Sequence, residues 1–197
     1  MKLANLLLLF IFLFFTQLLF SQSQSPQAVI FHNDGYKLFQ EFRPNNAIYD
    51  RTIREMQTLA RKHKEKTFTE SANLIKIIMS KCKLYYDTNT SLIEYFKKRW
   101  SQPHFLNMDD DWKAKTFKRD RAKVLALHSL TQGMQQAFND WNSARNEAVK
   151  SKNNKEIIGK IAAANRMLRK TIDAILEEEK EVFESIQKEL EIIKMSK

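Results

Sequence analysis

Residues 156–194 read EIIGKIAAANRMLRKTIDAILEEEKEVFESIQKELEIIK, and the placing of the apolar residues in this stretch decides the fold. Ile158, Ile161, Leu168, Ile172, Ile175, Val182, Ile186 and Ile193 fall on steps of three and four sustained over several heptads. An α-helix brings such positions to one side, so the spacing predicts a coiled-coil-like helix with a continuous apolar seam. The preceding stretch, from Asp110 to about Lys150, repeats the pattern with Val124, Leu127, Met134, Phe138, Trp141 and Ala148, with Thr131 and Arg145 at intervening positions. Between them Ser151-Lys152-Asn153-Asn154 is polar and short, enough to reverse the chain. Two helices of about 40 residues, each about 60 Å long at 1.5 Å per residue, should therefore form an antiparallel hairpin over residues 109–197. Gly133 lies off the apolar stripe and costs only about 1 kcal/mol inside a helix, so the first arm is expected to run unbroken. The alternative breaks it there and folds everything into a compact bundle.

Upstream the pattern is shorter. Asn46 to Lys64 carries an apolar stripe of Ile53, Met56, Leu59 and Ala60. Thr67 and Glu70 make a capping box that would open a helix through about Tyr86, with Leu74, Ile75, Ile78, Cys82 and Tyr85 inward. Asp87 to Asn89 reads as a turn, Ser91 to Trp100 as a short helix, and Ser101 to Met108 as a loop around Pro103. Residues 22–45 read as an irregular lead, with one or two helical turns at Tyr36 to Phe42. Only three glycines and three prolines occur in 197 residues, and neither sustained alternation nor an Asn-Gly turn is present. The expectation is an all-α helical bundle, with the short helices of 46–100 packed on the long hairpin as one domain.

The first residues give an address. Lys2 precedes an apolar run from Leu6 to Phe15, extended by Leu18 to Phe20, and Ser21-Gln22-Ser23 follows. These are the parts of a secretory signal peptide covering residues 1–21, with cleavage after Ser21 or Ser23. The competing reading is an uncleaved N-terminal membrane anchor, because Leu3 to Phe20 approaches spanning length. Cleavage is favoured, since the run contains polar residues and ends in small ones. A periplasmic or extracellular, secreted protein is expected. Its single cysteine, Cys82, rules out an intramolecular disulfide and reads as a buried thiol.

The chain carries a formal charge of +10, and residues 22–153 hold 23 Lys or Arg against 14 Asp or Glu. Lys97, Lys98, Arg99 and Trp100 join cations to an aromatic, in the manner of a surface for nucleic acid or anionic lipid. Lys118, Arg119 and Arg121 belong to a second basic run, Lys113 to Lys123. On a helical wheel that run spreads around most of the circumference, which suits a solvated helix better than a binding stripe.

Motifs for chemistry are missing. His32, His63, His104 and His128 form no i, i+4 pair, and Cys82 has no second cysteine to help hold zinc. Asp109-Asp110-Asp111 could open a calcium loop. But Ala114 stands where glycine is needed and Lys113 and Lys115 would repel the ion, so a helix N-cap is the better reading. Neither a Gly-x-Ser-x-Gly elbow nor a His-Glu-x-x-His pair nor a phosphate-cradling glycine loop occurs. Asn89-Thr90-Ser91 is a lone glycosylation sequon.

The sequence thus points away from an enzyme and implies no cofactor, metal or small-molecule substrate. It favours a structural, docking or oligomerising module that meets a protein partner or its own copies through the isoleucine seam. The alternative is a basic binding module for nucleic acid, anionic lipid or acidic polysaccharide. The sustained heptads resemble helical hairpins in general, a likeness of architecture that carries no function.

Overall fold

A computed structural model describes residues 25–41 and 43–195, with side chains placed for all of these except 38–41 and 192–195. The expected signal peptide and the side chain of Ile193 lie outside the described residues. Six helices are found there and no strand: α1 (Pro26–Glu41), α2 (Asn46–His63), α3 (Lys66–Arg99), α4 (Pro103–Leu106), α5 (Asp110–Ala148) and α6 (Asn154–Met195). The protein is an all-α bundle.

The two long arms have the expected bounds to within a few residues. Asp109 caps α5, its carboxylate accepting from the Trp112 amide at 2.9 Å, while Asp110 and Asp111 pair with Lys113 and Lys115. The cap satisfies a free amide at the positive end of the helix. α5 and α6 then pack antiparallel. Trp141 meets Asn165 near the connector, Gly133 lies against Ile175 midway, and Lys123 meets Glu189 at the far end. α5 is continuous through Gly133, which sits in the α5–α6 contact: a Cβ there would stand 3.2 Å from Ile175 Cδ1.

Three elements differ from expectation, one of them the four-residue α4, which stands inside the segment Ser101 to Met108 expected to be a loop. Asp87 to Asn89 is not a turn and Ser91 to Trp100 is not a separate short helix, because α3 passes through both as one 34-residue helix, about 50 Å long. The polar groups find partners without breaking the helix. Asp87 pairs with Lys83 one turn earlier, and the Thr90 and Ser91 hydroxyls donate to the carbonyls of Tyr86 and Asp87. Asn89 is fully buried and donates its amide to the Val124 carbonyl. A glycan on Asn89 is therefore incompatible with this packing. The helix also begins at Lys66, one residue before the expected cap, with Glu65 outside it and no side-chain cap bond.

The lead is the third difference, since Pro26–Glu41 is helical. Ser25 accepts from the Ala28 amide and Pro26 takes the first helical position, a usual start. Ala28 and Phe31 turn inward, and Gly35 lets α1 come close: a Cβ there would stand 3.0 Å from Ile93 Cδ1. α1 and α2 both run antiparallel to α3, from Ser25 beside Trp100 to His63 beside Phe68. Together they act as one long helix broken at Arg43-Pro44-Asn45, where proline would remove a helical hydrogen bond. The α2–α3 turn closes with Lys64 left-handed at φ 54°.

A single core runs the length of these helices. α3 lies at its centre and touches α1, α2, α5 and α6. Among the described residues no helix is long and apolar enough to cross a membrane.

Candidate functional site

The apolar seam of α6 faces the interior of the bundle along most of its length. Ile161, Leu168, Ile172, Ile175 and Ile186 are buried, and Ile158 and Val182 are half-buried. Their cover comes from this chain, by α3 on one side and α5 on the other. The unbroken α3 explains why the seam needs no second chain, since a helix of that length runs beside it.

Polar residues occupy the remaining rungs of the same ladder, and each meets α3. Asn165 accepts from Ser71 Oγ at 2.8 Å and from Trp141 Nε1 at 3.0 Å, and donates to the Thr67 carbonyl. Glu179 accepts from Lys81 Nζ and Tyr85 Oη, each at 2.6 Å. Glu189 accepts from Arg99 Nη1 at 2.5 Å and from Lys123. The α3 partners advance with the α6 residues, so the helices run parallel and in fixed register. Polar groups buried at seam positions commonly fix register, because a slip would leave each without its partner.

Glu189 anchors the most charged of these clusters. Asp120 is fully buried, accepts from Trp100 Nε1 at 3.0 Å and lies 3.5 Å from Arg99 Nη1. Burial raises the Asp120 carboxyl above its ordinary value, outweighing Arg99 and the Trp100 hydrogen bond. Burial works the same way on Glu189, but Lys123 and Arg99 together overcome it and hold that carboxyl low. A depressed carboxyl contributes stability above its unfolded value, about 4.3, and loses it as pH falls through the folded value. Glu189→Gln should therefore destabilise the protein at pH 7, with the difference from wild type shrinking in acid. Chemical denaturation at pH 7 and pH 3 would check this, and an equal difference at both would contradict it.

The basic residues singled out in the sequence gather at this end of the bundle but do not form one surface. Arg99 and Trp100 are buried. Trp100 packs edge-on against Phe117, and Phe105 lies under the Arg99 guanidinium, 5.0 Å from ring to carbon. The aromatics among the cations thus seal the bundle end, with the short α4 carrying Phe105 into place. Lys97 lies beside His32 of α1, and Lys98 is exposed. Lys118, Arg119 and Arg121 are exposed but diverge. Arg119 faces a groove shared with Glu181 and Val182 of α6, and Arg121 faces Asp34 and Gly35 of α1.

An open surface depression of about 440 Å³ borders Gln57, Ala60, Arg61 and Thr69, and the other cavities are smaller. One of about 100 Å³ lies between α2 and the start of α6, lined by Met56, Leu59, Phe68, Ile157 and Ile161 with Arg145 and His63 at its edge. That is below the roughly 300 Å³ of an ordinary small-molecule site. Two open grooves of about 250 and 290 Å³ lie along the outer side of the α5–α6 hairpin, floored by Ala137 and Ala164 and by Ala122 and Ala126. Burial pushes the Cys82 thiol up to about 12, and the Tyr49 hydroxyl faces it, also raised by burial. A thiol so held is inert as a nucleophile at neutral pH.

The chain matches no protein-family model, no curated protein and no solved structure.

Proposed function

We propose that this is an exported protein that works without catalysis, as a structural, docking or oligomerising module presenting the outer side of its α5–α6 hairpin to a protein partner. The observation that supports the reading is how the polar groups are used. Asn165, Glu179, Glu189, Asp120 and Arg99 are committed to one another and to aligning α3, α5 and α6. What remains open is a long, rigid helical side with shallow grooves, suited to another helix rather than to a small substrate.

A second reading, a basic module for an anionic polymer or lipid, draws on Lys97, Lys98, Lys118, Arg119 and Arg121 at one end of the bundle. Salt separates the two. Counterion release makes binding to a polyanion fall steeply with ionic strength. A partner that stays bound at about 0.5 M salt, where screening reaches only a few Å, is the result expected of the docking module. Binding to heparin or duplex DNA at low salt, lost tenfold or more on modest salt addition, would replace it with the basic module.

A further inference from the structure

The outward side of α6 carries charge that its own bundle does not use. Arg166 and Lys170 in its first half are exposed and make no ion pair with any described residue, and the same is true of Glu178 and Glu181 in its second half. The segregation runs along the helix. Residues 154–175 hold five Lys or Arg against two Asp or Glu, and residues 176–195 hold three against seven. Positive charge toward the N-terminus and negative toward the C-terminus is opposed to the helix dipole, so the isolated helix gains nothing from this order.

A second copy does gain from it. Turned about a two-fold axis beside Ala174 and laid antiparallel, α6 sets Arg166 opposite Glu181 of the second copy and Lys170 opposite Glu178 of the second copy. Symmetry repeats each pair, because a two-fold interface presents the same patch twice. Between the charges lies Ala174, small and exposed, and beside Arg166 stands Met167, which at 67% exposure is the most open large apolar side chain among the described residues. A small residue at the axis lets two helices approach, and the adaptable Met167, two turns away, packs on the facing helix.

We infer that the chain pairs with a second copy of itself through this face, antiparallel along α6 with the axis near Ala174. The inference deepens the docking reading by naming the partner. Its test is sedimentation equilibrium of the purified protein at low salt, on wild type and two charge-reversed variants, Arg166→Glu with Lys170→Glu and Glu178→Lys with Glu181→Lys. Wild type should dimerise, and each variant alone should do so more than about tenfold more weakly, since like charges then face one another. Mixing the two variants should restore the dimer, because one copy then presents only acidic charge here and the other only basic charge. That rescue cannot come from a folding defect. A dimer that neither reversal weakens, or variants that fail to rescue one another, would overturn the assigned face. A wild type that stays monomeric would overturn self-pairing, while leaving a salt-resistant bond to another protein as the separate criterion of the docking reading.

Discussion

Replacing Arg99 by alanine should destabilise the protein by about 3–5 kcal/mol, whereas replacing its neighbour Lys98 should change stability by less than about 0.5 kcal/mol. Both residues belong to one basic triplet, but Lys98 is exposed and Arg99 is buried between two carboxylates. Without the guanidinium, Asp120 keeps the Trp100 hydrogen bond and Glu189 keeps Lys123, yet the cluster is left with excess buried negative charge. Breaking a buried pair by removing one partner costs far more than the pair itself contributes, because the remaining charge has lost water and gained no replacement. The cation–π contact with Phe105 is lost as well. Denaturant titration of the two variants would measure the contrast. Equal, small effects would mean that the cluster is hydrated.

The second large effect concerns the seam. Ile172 is 2% exposed, between α3 and α5, and Ile172→Ala should cost about 2–5 kcal/mol through lost transfer energy and the cavity left behind. Glu181 is exposed on the same helix, and at a dilution where the chain is monomeric Glu181→Ala should stay within about 0.5 kcal/mol. Thermal unfolding would show a clear drop in midpoint for the first and almost none for the second. If both changes prove mild, the seam is not buried in the monomer.

The hairpin was legible in the sequence because its signal is long. Periodicity over some forty residues leaves little choice of face, and the polar connector marks the reversal. Local signals fared worse. Asp87-Thr88-Asn89 has the composition of a turn, yet tertiary packing kept α3 helical by giving Asn89 a backbone carbonyl on α5 to bond. Ser25-Pro26 is a helix start, and the helix it opens is held by Ala28 and Phe31 in the core and by the close approach of Gly35 to Ile93, contacts that no local signal announces.

The buried polar cluster was missed for a different reason, although a signal for it existed. Asn165, Glu179 and Glu189 stand on the rungs of the isoleucine ladder, and Asp120 lies one turn before Val124 on the stripe of α5. A polar residue on an apolar stripe implies a partner. The partner cannot be named from one helix, because Ser71, Lys81 and Arg99 come from a segment at least 90 residues away. Arg99 and Trp100 drew notice as a cation beside an aromatic. That composition suits a surface or a sealed bundle end equally well, and burial separates the two.

Hydrogen exchange of α6, at a dilution where sedimentation finds only monomer, tests the central claim most directly: the heptad seam is buried within a single chain. Amides from Leu168 through Ile175 should then exchange only through global unfolding, with protection near the full stability of the protein. Fast exchange there in the monomer, slowing only as concentration rises, would contradict the account, since the seam would then be covered by a second molecule.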